Sequence, residues 1–465
     1  MKLRNMIKKG TALCTAVGLA LSLTGCVLFS SPEDLYCLPR LPAEYVDLES
    51  ELATLVNSGY EYAAPTSGEN VQIVQMVDIN GDDVDEALVF LKKAGDEKPL
   101  KICLFKLVEG GYEVAGVIEE SAVSIDRVDY CDMNGDGNQE LIVGWQIMNH
   151  DPAGKHPNED SIPERALFRV LSVYNLQQFE CRKELETNYN RYAITDLDHN
   201  GLPELVTLTG NMSGSSSAMA YSWNVGGIEL MSTAKLSTPA ALLKRIQKGQ
   251  LSDGCEALFV TGAVDEKTLA TDILILQDGA LSNCVMDEVS GMSRVIYRDI
   301  ALPIRDIYGN GILELPIAYE LKKPEPDSKV YWGVHWTSIS SKGEGCVVET
   351  TYHNLTDGWY LVLPESWKDD LMVLDVSSTT GERAVTFGID QGEDREPRRI
   401  LTIYTETGDS REYKANKGER FMLLRLNTTI YAAEFLEGYA QWSGAMSKEE
   451  LRGAFHQIRT EWRLD

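Results

Sequence analysis

The chain is poor in basic residues and in long apolar runs. It has 43 Lys and Arg against 71 Asp and Glu, a formal net charge of −28. Such an acidic chain repels nucleic acid and anionic lipid headgroups and attracts divalent cations. We therefore expect no nucleic-acid partner. A membrane-spanning helix needs roughly eighteen consecutive apolar residues. No stretch after residue 26 is that long, so we expect no membrane-spanning helix in that part of the chain.

Cysteine and histidine are also scarce. The nine cysteines are widely spaced and form no CxxC pair, which is a poor framework for disulfides. Among the six histidines, His335 and His353 can be combined with Cys346 as a zinc set, but their spacing fits no closed zinc site. The P-loop, GxGxxG, HExxH and GxSxG motifs are missing. We therefore expect a protein that is not an enzyme.

The N-terminal region is typical of an exported protein. Four basic residues within the first nine precede an apolar stretch over 10–24, which is too short to span a membrane stably. The segment "LTGC", ending at Cys26, resembles a bacterial lipobox, whose cysteine is lipidated and becomes the new N-terminus. Two or more acyl chains give stable anchoring. We expect residues 1–26 to be a lipoprotein signal peptide, and the protein to be held on the outer side of the cell membrane through Cys26.

An acidic loop occurs four times in the chain. The four copies read "DINGDDVDEAL" from Asp78, "DMNGDGNQELI" from Asp132, "DLDHNGLPELV" from Asp196 and "DIYGNGILELP" from Asp306. A glutamate stands at the ninth position of each copy, at Glu86, Glu140, Glu204 and Glu314. Apolar or alternating segments flank every loop. Each loop is therefore predicted to join two strands of a hairpin.

Further strand patterns complete each repeat into a four-stranded unit. A degenerate unit without the acidic loop occupies 257–287, which gives five units between about residue 71 and residue 353. Repeated units that cannot bury both faces alone must stack, and four-stranded units stack radially as the blades of a propeller. We predict a mainly β fold: a β-propeller of about five four-stranded blades over 67–353, followed by a small α+β domain.

The four loops resemble the Asp-x-Asp/Asn-Gly-Asp-Gly-x-x-Asp/Glu signature of FG-GAP/VCBS repeats, the blades of integrin-α-like propellers. This resemblance implies that each loop binds calcium between the first and second strands of a blade. The usual blade count in that family is seven, whereas five units are visible in this chain.

Calcium prefers six to eight hard oxygen ligands in a loose geometry. Side chains at positions one, three, five and nine and the carbonyl at position seven supply them. The predicted calcium ligands are Asp132, Asn134, Asp136, Asn138 and Glu140; Asp78, Asn80, Asp82, Val84 and Glu86; and Asp196, Asp198, Asn200, Leu202 and Glu204. The Asp132 loop is the most complete, whereas Tyr308 removes a ligand from the Asp306 loop. An EF-hand would instead need a glutamate at position twelve and flanking helices. A turn kept for its shape, with its carboxylates bound to backbone N–H groups, remains an alternative.

The remaining segments flank or interrupt the repeats. Residues 27–66 are predicted to form a tether and a helix that ends at Gly59, and 238–249 a short helix that begins at Thr238. Residues 354–465 are predicted to form the α+β domain, an antiparallel sheet with a C-terminal helix over 447–462 capped by Ser447 and Glu450.

These features favour a membrane-anchored, calcium-stabilised module for binding, adhesion or sensing at the cell envelope. Its partner would be a protein or a glycan of the envelope, whose identity the sequence does not indicate. The alternative is a hydrolase, or an accessory subunit, that acts on envelope polymers. An enzyme should bring histidine and carboxylate side chains together in a central pocket.

Overall fold

The computed structural model describes residues 46–109, 111–148, 167–210, 216–239, 242–392 and 395–458. The predicted lipidation site, Cys26, lies outside them. Within these residues the fold is mainly β, with six antiparallel sheets, none of which closes on itself. None of the helices in these ranges has the length and apolarity needed to cross a bilayer.

The first three sheets follow one another along the chain. The first contains β1 (Glu61–Tyr62), β2 (Val74–Val77), β3 (Glu86–Lys92), β4 (Leu100–Val108) and β5 (Gly111–Glu120). The second contains β6 (Ser124–Cys131), β7 (Glu140–Met148), β8 (Leu167–Asn175) and β9 (Arg182–Asn188). The third contains β10 (Arg191–Thr195), β11 (Glu204–Thr209), β12 (Ser216–Asn224) and β13 (Gly227–Leu236). In the second and third sheets the strands are hydrogen-bonded in chain order.

The last three sheets are less regular. The fourth contains β14 (Leu243–Gln250), β15 (Glu256–Ala263), β16 (Thr268–Gln277), β17 (Ala280–Asn283) and β18 (Ile296–Arg298). The fifth contains β19 (Leu315–Glu320), β20 (Trp332–Ile339), β21 (Gly345–Asn354), β22 (Trp359–Val362) and β28 (Phe455–Gln457). The sixth contains β23 (Leu371–Thr379), β24 (Glu382–Ile389), β25 (Arg398–Thr407), β26 (Phe421–Arg425) and β27 (Thr429–Phe435).

Within the described residues, three α-helices accompany the sheets, α1 (Val46–Asn57), α2 (Arg411–Ala415) and α3 (Lys448–Ala454), together with a 3-10 turn at Gln177–Phe179. The helix predicted before the first repeat is confirmed as α1. Its apolar residues Leu48 and Leu52 are buried against the first sheet, in one cluster with Val89 and Phe105. The capping box at α3 is confirmed as well, with Ser447 and Glu450 each bonding the other's backbone N–H.

Two predicted helices are wrong in extent or type. Residues 243–250 form β14 instead of the second half of a helix, because they pair with β15 from Leu243 opposite Gly262 to Gln250 opposite Glu256. The sheet hydrogen bonds to β15, which are interrupted only by a bulge between Leu243 and Arg245, outweigh the helix propensity of this segment. The C-terminal helix ends at Ala454, and the next three residues form β28 on the edge of β22.

The fifth unit also differs from its predicted layout. The segment 300–305 was expected to be its first strand, but it contributes only a bridge between Arg305 and Glu314. Instead, Trp359–Val362, which the sequence analysis placed in the C-terminal segment 354–465, extends the sheet as β22. The fifth sheet is therefore completed by two strands from later in the chain, β22 and β28.

The sheets stack face to face in chain order. The first and second share a core that contains Phe90 and Trp145, and the second and third share one that contains Ile142 and Leu205. Three further clusters join the third to the fourth, the fourth to the fifth and the fifth to the sixth sheet. Each sheet buries apolar side chains against its neighbours, so every added sheet removes apolar area from water on two sides.

Gly144 of the second sheet lies directly against the side chain of Tyr189. A Cβ at this position of β7 would lie 2.0 Å from Tyr189 Oη, which donates a hydrogen bond to Asp126 Oδ2 at 2.7 Å. We predict that Gly144→Ala lowers the melting temperature and costs about 1–3 kcal/mol, as overpacking usually does.

Gly453 in α3 provides a control, because no atom lies within 4 Å of a Cβ built on it. Gly453→Ala should leave the melting temperature unchanged or raise it, since alanine favours a helix over glycine by about 1 kcal/mol. If Gly144→Ala melts like the wild type by circular dichroism, the close approach does not limit stability.

Candidate metal-binding loops

The four acidic loops close in the same way. In the first three, the glutamate at position nine pairs with the residue before the first aspartate: Glu86 with Val77, Glu140 with Cys131 and Glu204 with Thr195. In the fourth, Glu314 forms the equivalent bridge with Arg305. The prediction that each loop joins adjacent strands is therefore confirmed for the three loops that precede β3, β7 and β11.

The first aspartate of each loop organises the turn. Asp132 accepts hydrogen bonds from the backbone N–H of Gly135 at 2.7 Å and of Gly137 at 2.9 Å. Asp78 and Asp306 repeat this arrangement with the N–H groups of positions four and six. Asp196 accepts instead from Asn200, at position five, and from Gly201, at position six. Gly135 and Gly137 have φ values of 75° and 88°, a region that costs glycine nothing.

The glutamate at position nine is buried in all four loops. Its Oε2 accepts a hydrogen bond from the backbone N–H of position two: Ile79 at 3.0 Å, Met133 at 2.8 Å, Leu197 at 2.8 Å and Ile307 at 3.0 Å. In the Asp132 loop, Glu140 Oε1 also accepts hydrogen bonds from the side-chain amides of Asn134 and Asn175. Asn175 was not among the predicted site residues, because it lies at the end of β8, far from the loop along the chain.

The residue at position two inserts its side chain between neighbouring sheets. Ile79 packs with the cluster shared by the first and second sheets, Met133 with that of the second and third, and Leu197 with that of the third and fourth. This role was not predicted, although every copy of the loop has an apolar residue at position two. Each loop therefore joins an acidic exterior to the apolar layer beneath it.

Burial perturbs the carboxyl groups at position nine. Desolvation, supported by the nearby charges of Asp136 and Asp198 respectively, raises the pKa of Glu140 and that of Glu204 from 4.5 to about 7. The same causes raise the pKa of Glu86 and of Glu314. The geometry thus disfavours a charged glutamate unless a cation lies nearby.

The loops differ in how closely their carboxylates converge. Oxygen atoms of Asp196, Asp198 and Glu204 lie within 4.8 Å of one another, and no other group of three His, Cys, Asp or Glu residues in the described ranges does so. In the Asp132 loop, position three is Asn134, whose amide donates to Glu140. The structure therefore brings the acidic ligands closest together in the Asp196 loop, whereas the sequence favoured the Asp132 loop.

The Asp306 loop keeps the common shape without the full ligand set. Asp306 accepts hydrogen bonds from the backbone N–H groups of Gly309 and Gly311 at 2.6 and 2.7 Å. Tyr308, at position three, turns its hydroxyl to the Val348 carbonyl at 3.3 Å. The turn can therefore form from its own hydrogen bonds, as the alternative interpretation of these loops requires.

The loops lie next to one another in chain order. The backbone N–H of Gln139 donates to the Ile79 carbonyl at 2.7 Å, which links the Asp132 loop to the Asp78 loop. A Cβ on Gly135 would lie 2.8 Å from Leu202 of the Asp196 loop. The three most acidic loops thus form a row at one end of the stacked sheets.

The alternative zinc residues do not form a site. His335 stacks on Tyr319 and contacts Thr350 Oγ1, whereas His353 stacks on Tyr360 and contacts Thr351 Oγ1. Cys346 is exposed, and it does not converge with these two imidazoles. The six cysteines within the described ranges are all free.

Comparison with known proteins yields only distant similarities. No family model and no curated protein matches the chain. Among solved structures, Bacillus licheniformis rhamnogalacturonan lyase PL11 is 11% identical, with a TM-score of 0.27, over 73% of this chain and 72% of that one. A Bifidobacterium bifidum s17 protein described as an exo-beta-1,3-galactanase is 9% identical, with a TM-score of 0.18, over 64% and 93% of the two chains. At these TM-scores neither similarity carries an argument about this chain.

The raised pKa values of Glu140 and Glu204 predict a pH effect in the metal-free protein. Because burial favours the neutral acid, the folded state binds these protons more tightly than the unfolded state. Their stabilising contribution is complete below about pH 4.5 and is lost as the pH rises to about 7. In excess chelator, the melting temperature should therefore fall between about pH 5 and about pH 8.

A double variant, Glu140→Gln with Glu204→Gln, isolates the two carboxyls from other titrating groups, because glutamine has similar size and does not ionise. Its melting temperature should fall less steeply over the same pH interval in chelator. Parallel pH profiles for the wild type and the double variant would contradict the assignment of the effect to these carboxyls.

Proposed function

We propose that the protein is an envelope-anchored binding module whose acidic loops hold calcium. The observation that carries the proposal is the fourfold recurrence of one loop geometry, with an acidic oxygen set that is complete in three copies. The residues that would hold the ions are the side chains at positions one, three, five and nine and the carbonyl at position seven. Calcium would neutralise their charge and cross-link each turn to its buried glutamate.

Electrostatics favours an ion over an empty turn. The convergence of Asp196, Asp198 and Glu204 within 4.8 Å places like charges at short range in a chain of net charge −28. Burial makes the charged form of Glu204 still less favourable. A divalent cation offsets both the repulsion between the carboxylates and the unfavourable burial of a charged Glu204. Carboxylate and carbonyl oxygens are the ligands that calcium prefers.

The stacking supports an arrangement of blades related to FG-GAP/VCBS propellers. Five successive sheets bury apolar residues against their neighbours in chain order, and three of their first strands, β6, β10 and β14, border one cavity. A radial arrangement places first strands in this way. α1 would cover the outer face of the first blade, where its leucines pack.

We favour binding over catalysis because the carboxylates of this cavity are already engaged. Asp126 accepts a hydrogen bond from Tyr189 and lies 3.2 Å from Arg169 Nε. Asp129 accepts one from Tyr192 and lies 2.7 Å from Arg127 Nε. The proposed partner is a protein or glycan of the cell envelope.

Calcium is expected to stabilise the fold in a site-specific way. Extracellular calcium modules bind at about 10⁻⁴–10⁻³ M, and at ten times Kd each occupied site contributes about 1.4 kcal/mol. Chelator should therefore lower the melting temperature, and added calcium should restore it. Asp198→Ala should reduce the calcium-dependent rise in melting temperature by the contribution of one site.

Glu266→Ala is the matched control, because it removes the same charge from an exposed turn outside the loops. It should leave the calcium-dependent rise intact. If chelator at constant ionic strength leaves the melting temperature unchanged, the loops are turns kept for their shape.

Anchoring is tested separately. Cys26→Ser removes the thiol that would carry the lipid, so the variant should move from the membrane fraction to the soluble fraction of cells. Cys103→Ser is a suitable control, because Cys103 is a buried core residue of β4. Continued sedimentation of Cys26→Ser with membranes would refute the lipid anchor.

A further inference from the structure

A cavity of about 710 Å³ lies alongside β6, β10 and β14, the first strands of three successive sheets. Its lining includes none of the proposed calcium ligands. Cavities of this size accommodate small-molecule ligands. Its charge distinguishes it from the rest of the molecule.

The cavity is basic in a strongly acidic chain. Its lining carries six cationic side chains and only two carboxylates, whereas the whole chain has a net charge of −28. The cations are Arg127, Arg169, Arg191, Lys244, Arg245 and Lys248. They come from β6, β8, β10 and β14, so the fold gathers them from segments that are distant in sequence.

Three of these cations are already neutralised. Arg127 donates from Nη2 to Asp129 Oδ1 at 3.2 Å and lies over the ring of Tyr192. Arg169 pairs with Asp126, and Lys244 Nζ lies 3.1 Å from Asp299 Oδ2. Tyr189 and Tyr192 donate to the same two cavity aspartates, at 2.7 and 2.5 Å. Both carboxylates of the lining are therefore already paired with an arginine and a tyrosine.

The other three cations lack a counter-charge. Across the described part of the chain, Arg191, Arg245 and Lys248 form no ion pair and no side-chain hydrogen bond. Arg191 and Lys248 are exposed and Arg245 is half-buried, so all three are accessible from the cavity. Three positive charges around one cavity repel one another. An anion bound between them would attract all three and so offset that repulsion.

We propose that this cavity is a binding site for a small ligand that carries an oxyanion, either a carboxylate or a phosphate group. Arginine binds both groups through paired N–H donors, and lysine adds a point charge. Arg191 and Arg245 approach from β10 and β14, and Lys248 is the third cation. The site is separate from the calcium ligands, so this proposal and the calcium proposal can fail independently.

Titration calorimetry on the full chain, at fixed calcium and ionic strength, tests the proposal. Digalacturonate supplies a carboxylate probe and inorganic phosphate a phosphate probe, and sodium chloride serves as the reference anion. Saturable binding of one probe above the chloride background supports the site and identifies which oxyanion it prefers. Absence of saturable binding for both probes at millimolar concentrations would overturn it.

Arg191→Gln, Arg245→Gln and Lys248→Gln locate the binding. Each should weaken binding of the preferred probe by about tenfold or more, since each removes a charge-assisted hydrogen bond to the anion. Lys342→Gln removes one positive charge from an exposed turn away from the cavity and should bind the probe like the wild type. Equal affinity in all four variants would overturn the assignment to this cavity.

Thermal melts without added anion separate ligand binding from a structural role. Because the three cations repel one another, each glutamine variant should melt at the wild-type temperature or above it. In contrast, probe-induced stabilisation should shrink in these variants. A lower melting temperature without probe, together with unchanged probe affinity, would show that the cations are structural.

Discussion

The hydrogen bond from the backbone N–H of position two to the buried glutamate of position nine fixes the shape of every repeated loop. It fixes the start of the turn against the start of the second strand, and it satisfies a polar backbone group that would otherwise be buried without a partner. The side chain of the same residue enters the apolar layer between sheets. One residue therefore couples the hairpin, the loop and the contact with the neighbouring unit.

The charge distribution follows from this architecture. The loop row carries acidic residues that range from exposed, such as Asp136 and Asp198, to buried, such as Glu140. Basic residues without an ion pair lie along the first strands β10 and β14. The strands β6, β10 and β14 are edges of their sheets, and charged side chains on edge strands disfavour pairing with another chain. The same placement makes the cavity a region of positive potential within a negative molecule.

The sequence was informative where a pattern repeats and weak where a single segment must be interpreted alone. Four copies of the loop predicted hairpins and stacked sheets, because the spacing from Asp132 to Glu140 recurs with the same flanking strands. In contrast, the segment from Leu243 to Gln250 has a helical composition, and only its pairing with β15 makes it a strand. The continuation of α3 as β28 likewise depends on the free edge of β22, which lies roughly a hundred residues earlier. The sequence contains one sign of the basic cavity: Arg127 and Arg191 each stand five positions before the first aspartate of a loop. That these arginines lie close to the basic residues of β14 could be seen only in the fold.

The Asp306 loop separates two properties that the other loops combine. With Tyr308 in place of an oxygen ligand, it still forms the turn and still buries its glutamate. Under the proposed calcium binding, a unit of this kind would lose its ion through a single substitution and still remain in the stack. The number of bound ions would then be independent of the number of stacked units, so that dependence on calcium could change without any change in the scaffold.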